Sequence, residues 1–172
     1  MKPELKYGLT AGLAMSGWML VEFGLGLHTT RLAARHYTDW VTDLIPVVML
    51  YLLLKRRVDS RDRYWLPAWE GMLHGLVASF IAALAYYIFL NVYQYFLNPS
   101  WVDDQLAWKV AQLRAAGAAE TDIRNQITAL RNAYGPIGLA LYVPAYTVLG
   151  GCVSALITLW LNWRHKEDIA DT

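Results

Sequence analysis

The side chains that could carry chemistry in this 172-residue sequence are acids and histidines placed in or beside apolar segments. Glu22 stands in one such segment. His36, Asp39 and Asp43 follow at spacings of three and four, which put them on one side of a helix. Ionisable groups at membrane depth are costly, so these four residues are a candidate proton or cation site. Acids and imidazoles can also bind a divalent metal, but no dense ligand motif is present and we predict no metal. Neighbouring arginines allow ordinary interfacial ion pairing as the alternative.

A second combination of acid and histidine, Glu70 and His74, has a spacing of four residues. An acid near a helix N-terminus is favoured by the helix dipole, and a carboxylate can hold an imidazole by a hydrogen bond. The pair is either an interfacial contact or a sensor of pH or ligand. The sequence contains no Ser/His/Asp arrangement, phosphate-binding loop or paired cysteine motif. We therefore predict that the protein is not an enzyme and needs no cofactor.

Four tyrosines in two apolar segments form the third group of candidates. Tyr86 and Tyr87 lie deeper in their segment than an interfacial aromatic belt requires, and Tyr142 and Tyr146 stand in the last apolar segment. Packing between the two segments is one interpretation. An aromatic-lined pocket for a lipid or another apolar ligand is the other.

Membrane-spanning helices are the elements that must position these residues. Hydrophobic residues make up 56% of the chain, charged residues 17%, and the mean hydropathy is +0.26, which is on the membrane side of globular composition. The apolar segment 68–97 would be roughly 45 Å long as a helix, more than the roughly 30 Å of bilayer hydrocarbon. We predict an all-α fold with one membrane domain over residues 1–172. The predicted spans of this integral membrane four-helix bundle are about 5–27, 37–54, 68–97 and 136–163.

Residues 98–135 form the one sizeable segment between spans. Asn98 ends the third span because the residue before a proline avoids helical geometry. Two amphipathic helical patterns follow, separated by Gly117, which can adopt the left-handed conformation that ends helices. We predict an extramembrane helical hairpin between spans three and four, serving either as a structural lid or as a surface for a partner.

The distribution of Lys and Arg predicts the orientation. Positive charge is concentrated in the loop KRRVDSRDR at 55–63, and short loops of this kind stay in the cytoplasm. Both termini are therefore placed in the cytoplasm and the hairpin on the other side. The net charge of +1 gives no indication of a nucleic acid partner.

Small residues recur every four positions in the first and third spans. Such ridges let helix backbones approach closely in a membrane. We expect span one to pack against span three through these ridges, with a homodimer seam as the alternative. The ridge residues are Gly8, Gly12 and Ser16 in span one, and Gly71, Gly75, Ser79 and Ala83 in span three.

The order of several short segments resembles one bacterial membrane protein family, the domain of unknown function 4199. The segments are KYGLTAG at 6–12, WEG at 69–71, YFLNP at 95–99 and AAGAAE at 115–120, and the resemblance covers about residues 5–164. It implies a four-span protein of the bacterial inner membrane, and the predicted orientation then puts the hairpin in the periplasm. It implies no activity, and no functional residue is carried over from it.

Three functions remain open at this point. The leading hypothesis is a non-enzymatic accessory or assembly factor that contacts another membrane protein or a second copy of itself. A small oligomeric transporter or channel using Glu22 and Asp43 is an alternative, and a protein that binds membrane lipid beside the tyrosines is another.

Overall fold

The computed structural model of the protein describes residues 1–35, 37–60 and 65–170, and all regular secondary structure in these ranges is helical. The predicted all-α fold is thereby confirmed. The helices are α1 (Pro3–Gly24), α2 (Leu32–Arg35), α3 (Asp39–Asp59), α4 (Ala68–Val92) with a π-helical extension (Tyr93–Leu97), α5 (Trp101–Ala115), α6 (Glu120–Tyr134) and α7 (Pro136–Ala170).

Three stretches of the described chain are long and apolar enough to cross a membrane: Leu32–Asp59, Ala68–Leu97 and Pro136–Arg164. They correspond to the second, third and fourth predicted spans. Helix α1, the first predicted span, is not among them, and Glu4, Lys6 and its glycines reduce its apolar character. By length and composition, the described residues therefore provide three candidate spans rather than four.

The segment between α4 and α7 contains the two helices expected there. Its turn includes Gly117, whose φ of 73° lies in the left-handed region that favours glycine. The N–H of Ala118 donates to the carbonyl of Leu113 at 3.0 Å, which closes the end of α5. Helices α5 and α6 contact each other after this turn.

Helix α4 is the centre of the molecule, with α1, α3 and α7 packed around it. Its contact with α1 is close because the α1 glycines face its backbone. A Cβ atom added at Gly8 would lie 2.6 Å from the carbonyl oxygen of Ala78, and one added at Gly12 would lie 2.8 Å from that of Ala82. The α1 ridge, which also includes the buried Ser16, thus packs against α4.

The α4 ridge has a different partner from the one expected. A Cβ atom added at Gly71 would lie 2.0 Å from Thr158 Oγ1, and one added at Gly75 would lie 1.9 Å from Ser154 Oγ. Ser79, at the next step of the ridge, is the contact of Gly150. The ridge therefore faces α7, which has its own series of small residues at the same spacing, whereas α1 packs on a neighbouring face of α4.

Helices α3 and α7 are held together at the end where α3 finishes. Leu54, Val58 and Leu161 form a buried apolar cluster there with Leu66. The side chain of Asn162 fixes this cluster, because its Nδ2 donates to the Leu66 carbonyl at 2.7 Å and its Oδ1 accepts from the Leu66 N–H at 3.1 Å. A cleft lies between the same two helices towards the other end.

Candidate functional site

The cleft between α3 and α7 consists of two cavities that share Asp43 and Tyr142. The outer cavity has a volume of about 510 Å³ and the deeper one about 350 Å³. The outer cavity is lined by Met19, Glu22, Asp39, Thr42, Asp43, Tyr86, Leu90, Trp101, Ala133, Tyr134, Gly138, Leu139, Leu141, Tyr142 and Ala145. The deeper cavity is lined by Asp43, Pro46, Val47, Leu50, Ser79, Tyr142, Tyr146, Leu149, Gly150 and Val153.

The acids predicted as a candidate proton or cation site lie around the outer cavity. Asp39 and Asp43 come from successive turns of α3, and Glu22 comes from α1. Asp43 is exposed at the boundary between the cavities, while Glu22 is buried. His36, the remaining member of the predicted group, lies outside the described residues.

Three of the four candidate tyrosines line the cleft. The rings of Tyr142 and Tyr146 are stacked with centroids 5.0 Å apart, and Tyr86 approaches Tyr142 at 6.3 Å. The Tyr86 hydroxyl also lies 3.6 Å from Met19 Sδ. Tyr87 does not line either cavity and packs instead against an apolar cluster that includes Tyr93. The structure therefore joins the aromatic and acidic candidates, which sequence reasoning treated as separate sites.

Glu22 belongs to a buried polar network that extends away from the cleft. Its Oε1 accepts a hydrogen bond from Trp18 Nε1 at 3.0 Å, and its Oε2 lies 3.3 Å from His28 Nε2. His28 is completely buried, and its Nδ1 lies 2.6 Å from the Tyr93 hydroxyl. The hydroxyl in turn accepts from Asn98 Nδ2 at 3.1 Å. This Glu22–His28–Tyr93 network gives a buried carboxylate and imidazole the partners that burial requires.

The π-helical extension brings Tyr93 and Asn98 into this network. The N–H of Asn98 donates to the carbonyl of Tyr93 at 2.7 Å, a bond over five residues that characterises a π-helix. The Asn98 side chain therefore also reaches the ring hydroxyl of Tyr93. The candidate sites predicted from the sequence did not include Tyr93 or Asn98. The only sequence signal was Asn98 before Pro99, which we used to end a helix.

The family of the chain follows from its match to a family model. The family model described as protein of unknown function (DUF4199) matches residues 6–159. The chain belongs to the DUF4199 family. The resemblance found in the sequence is thereby confirmed. No curated protein and no solved structure matches the chain, so the function of this DUF4199 protein has to be inferred from its own residues.

A second polar group of this DUF4199 protein lies at the opposite end of α1. The Glu4 carboxylate forms an ion pair with Arg57 of α3, and its Oε1 lies 2.7 Å from His74 Nδ1 of α4. His74 was expected to pair with Glu70; the structure gives it a partner on another helix, while Glu70 is half-buried. Burial would raise the pKa of Glu4, but its backbone hydrogen bond, Arg57 and His74 outweigh burial and hold that pKa below its ordinary value of 4.5.

The described residues contain no group of three or more His, Cys, Asp or Glu side chains arranged to hold a metal ion. Glu22 and His28 lie together, but Asp39 and Asp43 stand on another helix across the outer cavity. The arrangement is instead a cleft with acids around its outer cavity and mainly tyrosines and aliphatic side chains around its deeper cavity.

Proposed function

We propose that this protein binds an amphiphile, such as a membrane lipid, in the cleft between α3 and α7, and acts as a non-enzymatic accessory protein. One observation carries the proposal: the two cavities adjoin at Asp43 and Tyr142, with carboxylates around the outer one and mainly apolar side chains around the deeper one. An amphiphile has a polar head group followed by an apolar chain, in the same order as the two cavities. Each volume is within the roughly 300–1,000 Å³ common for ligand pockets.

The walls of the deeper cavity fit an apolar chain. Leu50, Val47 and Pro46 face it from α3, and Leu149 and Val153 face it from α7. An acyl chain lying there would be covered by apolar side chains, and the transfer of each methylene group into such a site contributes about 0.8 kcal/mol.

The proposed membrane arrangement has four spans, with α1 packed on α4 as the additional span. Close contacts of Gly8 and Gly12 with α4 support this placement, since small residues at a helix contact are typical of membrane bundles. We place the protein in the bacterial inner membrane with both termini in the cytoplasm. Exposed tryptophans near the start of α4 and in the later part of α7 support one interface there: Trp65, Trp69, Trp160 and Trp163.

The accessory role includes contact with another membrane protein or with a second copy of the chain. Many large apolar side chains of α4 and α7 are exposed, which suits contact with lipid or with another apolar protein surface. The helical hairpin α5–α6 is the proposed extramembrane contact surface.

Lipid retention tests the proposed function. The purified protein, extracted in a mild detergent, is analysed by native mass spectrometry before and after Leu149→Trp, which adds bulk at the deeper cavity. Leu156→Trp is the matched control, because Leu156 is similarly exposed on α7 but does not line the cleft. We expect bound lipid to decrease only with Leu149→Trp. Equal retention in the two variants, or no lipid on the unmodified protein, would contradict cleft binding.

A further inference from the structure

We propose that the amphiphile held in the cleft carries a cationic amine head group, and that the Asp43 carboxylate is its principal contact. This inference rests on the proposed function and names the chemical class of its ligand. It follows from the charges that face the cleft, from the partners that each carboxylate already has, and from a buried hydroxyl in the cleft wall.

The cleft is acidic. Its two cavities are lined by the carboxylates Glu22, Asp39 and Asp43, and neither lining includes a lysine or arginine among the described residues. Three acids around one apolar-walled space attract a cation and oppose an anionic head group. A fatty acid would therefore be a poor ligand for the outer cavity, whereas an ammonium group of the same chain length would be a good one.

Asp43 is the acid best placed to meet that ammonium group. Glu22 is already engaged with His28 and Trp18 in the buried network, and Asp39 also lines an adjoining cavity together with Lys109. No salt bridge or hydrogen bond to the Asp43 side chain is found among the described residues, and Asp43 lines both parts of the cleft. An ammonium group at this position would gain a charge-assisted hydrogen bond.

Two further features of the wall suit such a ligand. Tyr142 lines both cavities beside Asp43, and aromatic rings next to a carboxylate are favourable surroundings for an ammonium group. Ser79 lines the deeper cavity and is 2% exposed, and its hydroxyl has no hydrogen-bond partner among the described residues. A buried hydroxyl in this state can bond a polar atom of the ligand below the head group.

The test compares two probes that differ only in head group. A long-chain primary amine and the carboxylic acid of equal chain length, each with a photoactivatable diazirine in the chain, are crosslinked to the purified full-length protein. Labelled peptides are identified by mass spectrometry. We expect the amine to label α3 and α7 about tenfold more than the acid, the difference that one charge-assisted hydrogen bond gives.

Two variants test whether Asp43 causes the preference for the amine probe. Asp43→Asn should reduce amine labelling about fivefold to tenfold and leave acid labelling unchanged or raised. Asp103→Asn, which removes an exposed acid on α5 that lines neither cavity, should change nothing. Thermal melts of both variants establish that they are folded.

The outcomes separate this inference from the proposed function. If both probes label the cleft equally and Asp43→Asn changes neither, the cleft binds amphiphiles but the amine preference is wrong. If neither probe labels α3 or α7, or if both label only surfaces outside the cleft, the proposed function itself is wrong and the head-group inference falls with it.

Discussion

Gly75 lies where α4 and α7 approach each other closely, and one added methyl group there should destabilise their contact. In Gly75→Ala the new Cβ would lie 1.9 Å from Ser154 Oγ, 2.3 Å from Ser154 Cβ and 3.1 Å from the Gly150 carbonyl oxygen. Rotation of the serine side chain can move Oγ but cannot move Cβ. The two helices must therefore separate, and their whole contact is affected.

The size of the effect follows from two opposing contributions. Overpacking of a contact this close is expected at the upper end of the usual range, about 3 kcal/mol, and replacing glycine by alanine inside a helix returns about 1 kcal/mol. The net loss is about 2 kcal/mol, which for a chain of this length lowers the midpoint of thermal unfolding by about 4–8 °C. Thermal melts in one fixed detergent, followed by circular dichroism, measure this shift.

Two further variants make the prediction specific. Gly17→Ala makes the same change on α1, where no atom lies within 4 Å of the added Cβ, so its stability should be unchanged or higher. Ser154→Gly removes both serine side-chain atoms that the added methyl group would meet, so combining it with Gly75→Ala should recover most of the loss as a coupling of about 2 kcal/mol. If Gly75→Ala melts like the unmodified protein, or if the double variant shows no coupling, the described α4–α7 contact is wrong.

Two other predictions concern the polar group around Glu4 and the membrane topology. Because the pKa of Glu4 is lowered in the folded protein, its ionised form stabilises the fold fully above the unfolded pKa, and this stabilisation is lost as pH falls through the folded pKa. The melting temperature of Glu4→Gln should therefore fall less on acidification than that of the unmodified protein. An equal fall would contradict the stabilising role of the pair of Glu4 with Arg57. In a Cys152→Ser background, an impermeant maleimide added to intact cells should label Ala116→Cys in the hairpin but not Ser60→Cys after α3; labelling of the second position alone would reverse the topology.

The sequence was sufficient to predict the long helices of this fold approximately, because their boundaries depend on local chemistry. Low charge and an uninterrupted apolar run predicted 68–97, and the stretch Ala68–Leu97 has those bounds. The left-handed Gly117 was predicted from its lack of a side chain and its position between two helical patterns. Helix α1 was harder to predict as a membrane span, because its small residues serve close packing and give a weaker hydropathy signal than leucine would.

The partners of the candidate functional residues could not be predicted in the same way. A spacing of four residues shows that Gly71, Gly75 and Ser79 form one ridge, but it does not show which helix faces that ridge. His28 and Tyr93 are 65 residues apart, and their contact depends on the π-helical turn that ends α4. The cleft, likewise, is a property of the distance between α3 and α7, which periodicity within either helix does not determine.

The positions of Glu22 and Asp43 allow binding to be separated from folding in this cleft. Glu22 is buried, accepts a hydrogen bond from Trp18 and lies 3.3 Å from His28, so its neutralisation would leave a buried imidazole without its acid and would destabilise the fold whatever the cleft binds. Asp43 is exposed on α3, so its amide variant loses little in the unliganded protein. A head-group effect of Asp43→Asn would therefore report the ligand, whereas loss of binding in a Glu22 variant would report the fold as much as the site.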